Sequence, residues 1–268
     1  HKWMTSVALL AGSNAMTGAA VLAARGAFRT GAGYVTLGTT AGADRVARKL
    51  LPELVSRVVT DASVLGPGAL DEIGDALSKS GAVAIGPGIG KGRDQKELVQ
   101  RVLREVDSPV VLDADGLNVL QDDTGALGAR SAPLAITPHA GELGRLLGRS
   151  SAEVERDRVL AAREASERFG CVVVLKGPRT LTCHAERGIV INPTAGPELA
   201  TAGTGDVLTG VIAALASGKQ DCFTPAWQGA YLHGSAGALA AGRMGRIGVV
   251  AWDVAEALPG AIAALPSA

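Results

Sequence analysis

Short apolar runs alternate along the chain with longer stretches in which apolar residues recur every three or four positions. The short runs are typical of buried strands, and the recurring pattern indicates helices that bury one face. The runs predict strands at Val7–Ala11, Tyr34–Leu37, Ala82–Ile85, Val110–Leu112, Leu134–Ile136, Val172–Leu175, Thr180–His184 and Gly188–Asn192. The longer stretches predict helices at Gly18–Arg29, Arg45–Leu51, Leu70–Lys79, Gln95–Val106, Glu142–Leu147, Glu153–Phe169, Thr204–Ser217, Pro225–Arg243 and Trp252–Ala264.

This alternation predicts an α/β fold with a mainly parallel central sheet. Strands separated by helices of this size are typical of repeated strand–helix–strand units. The pattern changes after Lys176, where two strands around the turn Ala185-Glu186-Arg187 predict an antiparallel hairpin. No linker rich in Ser, Pro and charge divides the chain, so we expect one domain over residues 1–268.

Composition excludes several classes of protein. Hydrophobic residues make up 47% of the 268 residues and charged residues 19%, which argues for a full core and against disorder. Basic and acidic residues number 26 each and aromatics are 3%, so no nucleic-acid surface is indicated. The three scattered cysteines suit a reducing compartment, and no apolar run is long enough to span a bilayer. We therefore expect a cytoplasmic protein with neither nucleic acid nor membrane as partner.

Polar or glycine-rich segments directly follow four of the predicted strands. In open parallel sheets, ligands bind beyond the carboxyl ends of the strands. We therefore expect these segments to share one rim of the sheet. They are Gly86–Gly90, Asp113–Asn118, Thr137–Glu142 and Lys176–Thr180.

The first two segments each admit a functional and a structural interpretation. Gly88 and Gly90 allow the backbone to approach a ligand, but they equally suit a tight turn from strand to helix. Asp113 and Asp115, two positions apart, could position a hydroxyl group or help to hold a hydrated Mg²⁺, with Asn118 nearby. Alternatively, Asp115 only caps a helix that starts at the next residue.

The other two segments are equally open. His139 and Glu142 match a helix-capping arrangement, and the position of His139 after a strand also suits a hydrogen bond to a ligand. Lys176–Thr180 offers a cation, a flexible turn and a hydroxyl that could hold a nucleotide, or it is a polar turn. His184 and His233 are expected in packing or at the surface.

Gly203-Thr204-Gly205-Asp206 directly precedes a long apolar helix. The glycines allow successive N–H groups to point into one cavity, and the helix adds its unpaired N–H groups and the positive end of its dipole. Gly203, Thr204 and Gly205 could thus form an anion hole, with Asp206 as the base that deprotonates a hydroxyl attacking phosphorus. An isolated segment of this kind is more often a capped turn than a catalytic site. The other segments of the chain therefore decide between the two interpretations.

Taken in order, the segments resemble the ADP- or ATP-dependent NAD(P)H-hydrate dehydratases, a branch of the ribokinase-like superfamily. The resemblance spans Ala8 to Pro259. It implies a ribokinase-like three-layer fold, with a mainly parallel central sheet flanked by helices, and a homotetramer. It rests on GSNAMTGAAVLAARGAFRTGAGYVTL, AIGPGIG, VLDADGLN, ITPHAGEL, VVLKGPRT, NPTAGPELATAGTGDVLTGVIAAL, AWQGAYLHGSAGALAA and the Ala251–Pro259 segment.

The resemblance implies a hydro-lyase that repairs nicotinamide nucleotides. Such an enzyme dehydrates the S epimer of hydrated NADH or NADPH, with ADP (or ATP) as co-substrate, Mg²⁺ on its phosphates, and AMP and phosphate as products. Asp206 would activate the ring hydroxyl for attack on the terminal phosphorus of ADP. The candidate hydrate-binding residues are Ala20, Gly88, Gly90, Asp115, Asn118, His139 and Asp206. The candidate nucleotide-binding residues are Lys176, Gly177, Pro178, Arg179, Thr180, Thr204 and Gly205.

Some residues depart from the family pattern. Met16-Thr17 stands where members often have an aromatic residue, Ala140 replaces a common proline and Thr204 a frequent serine. These changes put substrate contacts in doubt more than the chemistry. The epimerase domain that many members carry is absent from these 268 residues, so we expect no epimerase activity from them. The alternative is a small-molecule kinase of the same superfamily that acts on a vitamin precursor alcohol.

Overall fold

One nine-stranded sheet runs through the computed structural model, which describes residues 5–194 and 196–266. The strands lie side by side in the order β3-β2-β1-β4-β5-β6-β7-β8-β9. Their bounds are β1 Ser6–Leu10, β2 Tyr34–Thr40, β3 Val55–Thr60, β4 Ala82–Ile85, β5 Val110–Leu112, β6 Leu134–Ile136, β7 Val172–Leu175, β8 Leu181–His184 and β9 Gly188–Ile191.

Strands β1 to β7 are parallel, and β8 and β9 pair antiparallel at one edge. The predicted hairpin after Lys176 is therefore confirmed, with Leu181 opposite Ile191 and His184 opposite Gly188. Because β1 and β4 to β7 are consecutive parallel neighbours, their carboxyl ends lie along the same edge of the sheet.

Helices connect the parallel strands and cover the sheet. Their bounds are α1 Thr17–Arg29, α2 Ala41–Leu50, α3 Ala69–Glu72, α4 Gly74–Leu77, α5 Arg93–Glu105, α6 Asp115–Asn118, α7 Gly125–Gly128, α8 Ala140–Leu147, α9 Ser151–Arg156, α10 Arg158–Phe169, α11 Thr204–Ala216, α12 Phe223–Met244 and α13 Ala251–Ala263. In the part of the chain that the structure describes, none of these helices has the length and apolar character needed to cross a membrane.

The sheet is buried on both faces, which explains the continuous apolar runs of its strands. Successive residues point to opposite sides, so Leu10 and Ile85 pack under α5, α8 and α10, whereas Leu9 and Ala84 pack under α1, α2, α11 and α12. Helix α13 packs against α11 and α12 outside the second layer. This arrangement confirms the α/β architecture of three layers that the sequence predicts.

Three sequence predictions of secondary structure were incomplete or wrong. Strand β3 was missed, since its Val55–Thr60 segment contains Arg57, which pairs with Asp75 at the edge of the sheet. The helix predicted at Leu70–Lys79 is two single-turn helices, α3 and α4, separated at Ile73. The helix predicted at Glu153–Phe169 is also two helices, because Asp157 ends α9 and caps α10 with its side chain.

The helix that carries Asp206 is packed against α1 through glycines. A Cβ on Gly210 of α11 would collide with the Ala23 carbonyl, and one on Gly26 of α1 would collide with the Val207 carbonyl. The two backbones therefore touch directly, which fixes the start of α11 relative to the sheet.

Candidate active site

The segments predicted to share a rim do lie at one edge of the sheet. The loops that follow β4, β5, β6 and β7 begin at Gly86, Asp113, Thr137 and Lys176, and these strands are parallel neighbours. Two contacts join loops directly: the Gly12 N–H donates to the Pro87 carbonyl, and the Lys176 N–H donates to the Pro138 carbonyl, both at 2.8 Å. The rim is therefore a continuous surface.

The Gly203–Asp206 turn starts helix α11 at this rim. Gly203 precedes the helix with a φ of 91°, a conformation that favours glycine, and Asp206 lies in the first turn. The Thr204 hydroxyl donates to the carbonyls of Leu199 and Thr201 at 2.7 and 2.9 Å. That hydroxyl therefore stabilises the turn. The N–H groups in the first turn of the helix are left to bind an anion.

Lys176 is the central cation of the site. Its Nζ lies 2.7 Å from Asp113 Oδ1 and 3.7 Å from Glu142 Oε2. A Cβ on Gly205 would lie 3.3 Å from the same Nζ, so the glycine leaves room for the cation beside the start of α11. Burial alone would lower the pKa of Lys176, but Asp113 and Glu142 outweigh it and raise the pKa above its usual value.

Asp113 links this lysine to helix α11. Its side chain is 1% exposed, and its second oxygen, Oδ2, accepts a hydrogen bond from the Thr209 hydroxyl of α11 at 2.8 Å. One buried carboxylate thus holds the end of β7 and the first turns of α11 together.

The environment of Asp206 suits a general base. Burial raises the pKa of Asp206 to about 7, and the Asp113 carboxylate adds to this effect while Lys176 opposes it. A carboxyl group with a pKa near neutrality can accept a proton from a hydroxyl and is still ionised in a large fraction of molecules. The structure thus gives Asp206 the property that its predicted role needs.

A cavity of about 300 Å³ opens beside Lys176 and the start of α11. All the predicted nucleotide-binding residues except Arg179 line it. Arg179 is exposed and has a φ of 53°. The other described residues of its wall are Gly196, Pro197, Leu199, Ala200, Leu208 and His233.

Four of the predicted hydrate-binding residues lie in the loops that follow β4 and β5 and in α6. The Gly90 N–H donates to Asp115 Oδ2 at 3.1 Å, and a Cβ on Gly88 would lie 3.0 Å from the Cβ of Met16. Asn118 Oδ1 accepts hydrogen bonds from Nη2 and Nε of Arg145 at 2.7 and 3.2 Å. These contacts join the loops after β1 and β4 to Asp115, and Asn118 to the last turn of α8.

His139 caps helix α8, as the sequence predicts. Its Nδ1 accepts from the N–H groups of Gly141 and Glu142 at 3.0 and 3.4 Å, and Glu142 Oε2 accepts from the His139 N–H at 2.8 Å. Burial lowers the pKa of His139, and Glu142 partly opposes the shift. The ring is 55% exposed and keeps its Nε2 side toward the rim, 3.4 Å from Glu142 Oε1. Capping is therefore confirmed, and a hydrate contact stays a prediction.

Ala20 is a predicted hydrate-binding residue with no exposed surface. It is fully buried in α1, and a Cβ on Gly12 would lie 2.9 Å from its own Cβ. The side chain therefore packs under the loop that follows β1, and its role in substrate binding stays a prediction.

Sequence reasoning missed Thr209 and His233 and gave Asp113 little weight. The ion pair of Asp113 joins residues 63 positions apart, and Thr209 is a further 33 positions along the chain from Lys176. No local spacing signals such a contact. His233 is a lone histidine in an apolar helix, where packing is the usual role, and only the packing of α12 behind α11 brings it to the cavity.

Among residues 5–194 and 196–266, no three His, Cys, Asp or Glu side chains form a group that could hold a metal ion. Mg²⁺ usually needs only one or two carboxylates, since water and substrate phosphates complete its octahedron.

Comparison with known proteins gives a consistent result. A sequence model of the NAD(P)H-hydrate dehydratases matches residues 7–260. A bifunctional NAD(P)H-hydrate repair enzyme from Moorella thermoacetica is 39% identical over 255 residues, which are 94% of this chain and 48% of that enzyme. The chain spans about half the length of the bifunctional relatives that it matches.

Two further proteins match over most of their own length. An ADP-dependent (S)-NAD(P)H-hydrate dehydratase from Neisseria meningitidis serogroup B is 38% identical over 238 residues, which are 86% of this chain and 75% of that protein. The second protein is an ADP/ATP-dependent NAD(P)H-hydrate dehydratase from Bacillus subtilis, whose crystal structure was determined with ATP and Mg²⁺. Its sequence is 31% identical to this chain, and the two structures superpose with a TM-score of 0.81. The match covers 98% of this chain and 91% of that one.

Proposed function

Since the chain belongs to the NAD(P)H-hydrate dehydratase family, we propose that it dehydrates the S epimer of hydrated NADH or NADPH with ADP as co-substrate. The observation that carries the proposal is the half-buried carboxyl group of Asp206 at the start of α11, whose pKa of about 7 suits a base. The products would be NADH or NADPH, AMP and phosphate.

In the first step, Asp206 would accept the proton of the ring hydroxyl of the hydrate. The hydroxyl oxygen then forms a bond to the terminal phosphorus of ADP, the bond from that phosphorus to the bridging oxygen breaks, and AMP leaves with the bridging oxygen. In the second step the ring C–O bond breaks, phosphate leaves with the oxygen that entered as water, and a neighbouring ring carbon loses a proton. The double bond of the dihydropyridine is thereby restored.

The first step concentrates negative charge around phosphorus, and the site has two groups to stabilise it. The N–H groups of residues 203–206 lie at the positive end of α11, and Lys176 is held beside Gly205 by Asp113. Both are fixed before the reaction starts, so little reorganisation is needed. Mg²⁺ bound with the phosphates would neutralise part of their charge; no side chain is assigned to it.

The test incubates the purified chain with hydrated NADPH, Mg²⁺ and either ADP or ATP. We expect the absorbance of the dihydropyridine to recover with ADP, AMP to appear in equal amount, and neither to occur without a nucleotide. Comparing the two nucleotides, and NADH hydrate with NADPH hydrate, gives the preferences. The Asp206→Asn variant should bind nucleotide and lose turnover by at least about a thousandfold.

The competing assignment is a small-molecule kinase with the same base and anion hole. It would transfer phosphate to a thiazole or pyridine alcohol and leave the hydrate unchanged, and that result would contradict the proposal. Turnover of Asp206→Asn at the wild-type rate would contradict the role of the base. The homotetramer that the resemblance implies stays a prediction, which sedimentation velocity would test.

A further inference from the structure

Helix α11 carries a buried hydroxyl group to which the proposed reaction assigns no role. Thr209 lies three residues after Asp206 and has no exposed surface. Its Oγ1 lies 2.8 Å from Asp113 Oδ2 and 3.1 Å from the carbonyl oxygen of Gly205. A threonine hydroxyl has a single hydrogen, so only one of these two oxygens receives its full hydrogen bond.

The Asp113 carboxylate is the acceptor of this hydrogen. The Gly205 carbonyl lies inside α11, where each carbonyl accepts from the backbone N–H four residues later. Asp113 Oδ2 depends on the Thr209 hydroxyl, while Lys176 Nζ donates to the other oxygen, Oδ1. An ionised acceptor also forms the stronger bond, and the bond to Asp113 is the shorter of the two. Thr209 therefore donates to Asp113.

Two hydrogen bonds together fix the orientation of the Asp113 carboxylate. Oδ2 is held by α11 through Thr209, and Oδ1 faces Lys176 Nζ at 2.7 Å. The last torsion of an aspartate side chain has a broad energy minimum and does not fix the carboxylate by itself. Without the Thr209 hydroxyl, the carboxylate is free to rotate, and the oxygen that holds Lys176 moves with it.

This orientation keeps Lys176 against the first turn of α11. A Cβ on Gly205 would lie 3.3 Å from Lys176 Nζ and 3.8 Å from Asp113 Oδ2, so the cation and the carboxylate both contact this turn. Two other carboxylates compete for the cation. Glu142 Oε2 lies 3.7 Å from Nζ, and the charge of Asp206 also acts on Lys176. A lysine released from Asp113 would therefore move toward one of them.

Resting on the proposed function, we propose that Thr209 is a positioning residue for phosphoryl transfer: its hydroxyl holds Asp113 so that Lys176 stays beside Gly205 and away from Asp206. Lys176 then meets the terminal phosphate of the nucleotide, and Asp206 stays free to accept the proton of the hydrate. Thr209 is fully buried and touches neither substrate, so it acts through Asp113.

Isothermal titration calorimetry of the purified chain with ADP and with AMP tests this proposal. The ratio of the two affinities reports the contacts of the terminal phosphate, which AMP lacks. Thr209→Val keeps the shape of the side chain and removes its hydroxyl. It should reduce the preference for ADP over AMP about fivefold or more, because Lys176 is no longer fixed beside that phosphate. Thr209→Ser keeps the hydroxyl and should retain the wild-type ratio.

Thr30→Val is the matched control. The Thr30 hydroxyl donates to the carbonyl of Gly26, four residues earlier, at 2.8 Å, as Thr209 contacts Gly205, but it lies at the C-terminal end of α1. This variant should leave the ratio unchanged. A double-mutant cycle gives a second control. In the Asp113→Asn background, Thr209→Val should change the ratio by less than about twofold, because the hydroxyl has no carboxylate to hold.

Three results would overturn the proposal. They are equal binding of ADP and AMP by wild type, an unchanged ratio in a folded Thr209→Val protein, and a loss of the ratio that Thr209→Ser shares. An equal loss in the wild-type and Asp113→Asn backgrounds would also overturn it, since Thr209 would then act through the packing of α11. Should Thr209→Val fail to fold, as judged by circular dichroism, Thr209→Ala also lacks the hydroxyl and replaces it with the same expectations.

Calorimetry needs no hydrate, so its result is independent of the dehydration assay. A chain in which Thr209→Val lowers the ratio, but which does not dehydrate the hydrate, would overturn the proposed function alone. In the dehydration assay, Thr209→Val should lower kcat about tenfold or more and change the KM for the hydrate less than about threefold. A raised KM at an unchanged kcat would contradict the positioning role.

Discussion

Asp206→Asn should make the protein more stable above about pH 4, with the full gain at neutral and alkaline pH. Burial raises the pKa of the Asp206 carboxyl group from 3.8 to about 7, and the Asp113 carboxylate adds to this effect. The unfolded chain ionises this group near 3.8, so the folded state binds more protons than the unfolded state between about pH 4 and pH 7. The free energy of unfolding of wild type therefore falls as the pH rises through this window.

The size of this stability difference follows from the shift in the pKa of Asp206. Shifting the ionisation from 3.8 to about 7 corresponds to a cost of about 4 kcal/mol for the ionised folded state. Asp206 keeps some access to water, which screens part of this cost, so we expect about 2 kcal/mol. Asparagine is nearly isosteric and has no charge to desolvate. Its gain over wild type should be about 2 kcal/mol above pH 7 and should vanish below about pH 4.

The measurement is urea unfolding of both proteins, followed by circular dichroism, at several pH values between about 4 and 9. Asp122→Asn, at an exposed position, is the control and should change the free energy of unfolding by less than about 0.5 kcal/mol at every pH. A difference between Asp206→Asn and wild type that is independent of pH would refute the reasoning. So would a wild type that is the more stable protein at high pH.

Three further predictions concern the rate and the packing. Turnover by wild type should fall as the pH drops below about 7, because only the ionised Asp206 accepts a proton; a flat profile down to about pH 5 would exclude it as the base. Asp113→Asn removes the partner of Lys176 and a charge that raises the pKa of Asp206. The acid limb should therefore move to lower pH and kcat should fall about tenfold or more, as pH–rate profiles would measure. Gly210→Ala should cost about 1–3 kcal/mol in urea unfolding through its contact with α1, whereas Gly242→Ala, in open space on α12, should not destabilise.

The fold was predictable where the sequence pattern is local and strong. Strands β4 to β7 are uninterrupted apolar runs because both of their faces are buried, and their predicted bounds are confirmed. Edge strand β3 was not predicted because Arg57 interrupts its apolar pattern. The ion-pair partner of Arg57, Asp75, lies in another element, α4. The break in the predicted Glu153–Phe169 helix was not predicted because an aspartate can also lie inside a helix. Only the hydrogen bond from the Leu160 N–H to the Asp157 side chain shows that Asp157 caps α10.

The sequence predicts which loops form the site, but it does not predict the contacts between their side chains. Chain order and parallel topology suffice to bring Gly86, Asp113, His139 and Lys176 to one rim, since each lies within three residues of the end of a parallel strand. Which of these side chains form ion pairs depends on the distances between them across the rim, and the sequence does not give those distances. Asp113, which is not among the predicted binding residues, is the buried carboxylate that holds Lys176.

This pairing also explains how one site contains a strong cation and a weak acid side by side. Lys176 stays charged because Asp113 and Glu142 surround it, and the charges of those two carboxylates are among the causes that raise the pKa of Asp206. Had Lys176 paired with Asp206 itself, it would have lowered the pKa of the base and occupied its oxygen atoms. The buried Asp113 therefore separates the two functions: it takes up the cation and leaves the carboxylate at the start of α11 able to accept a proton.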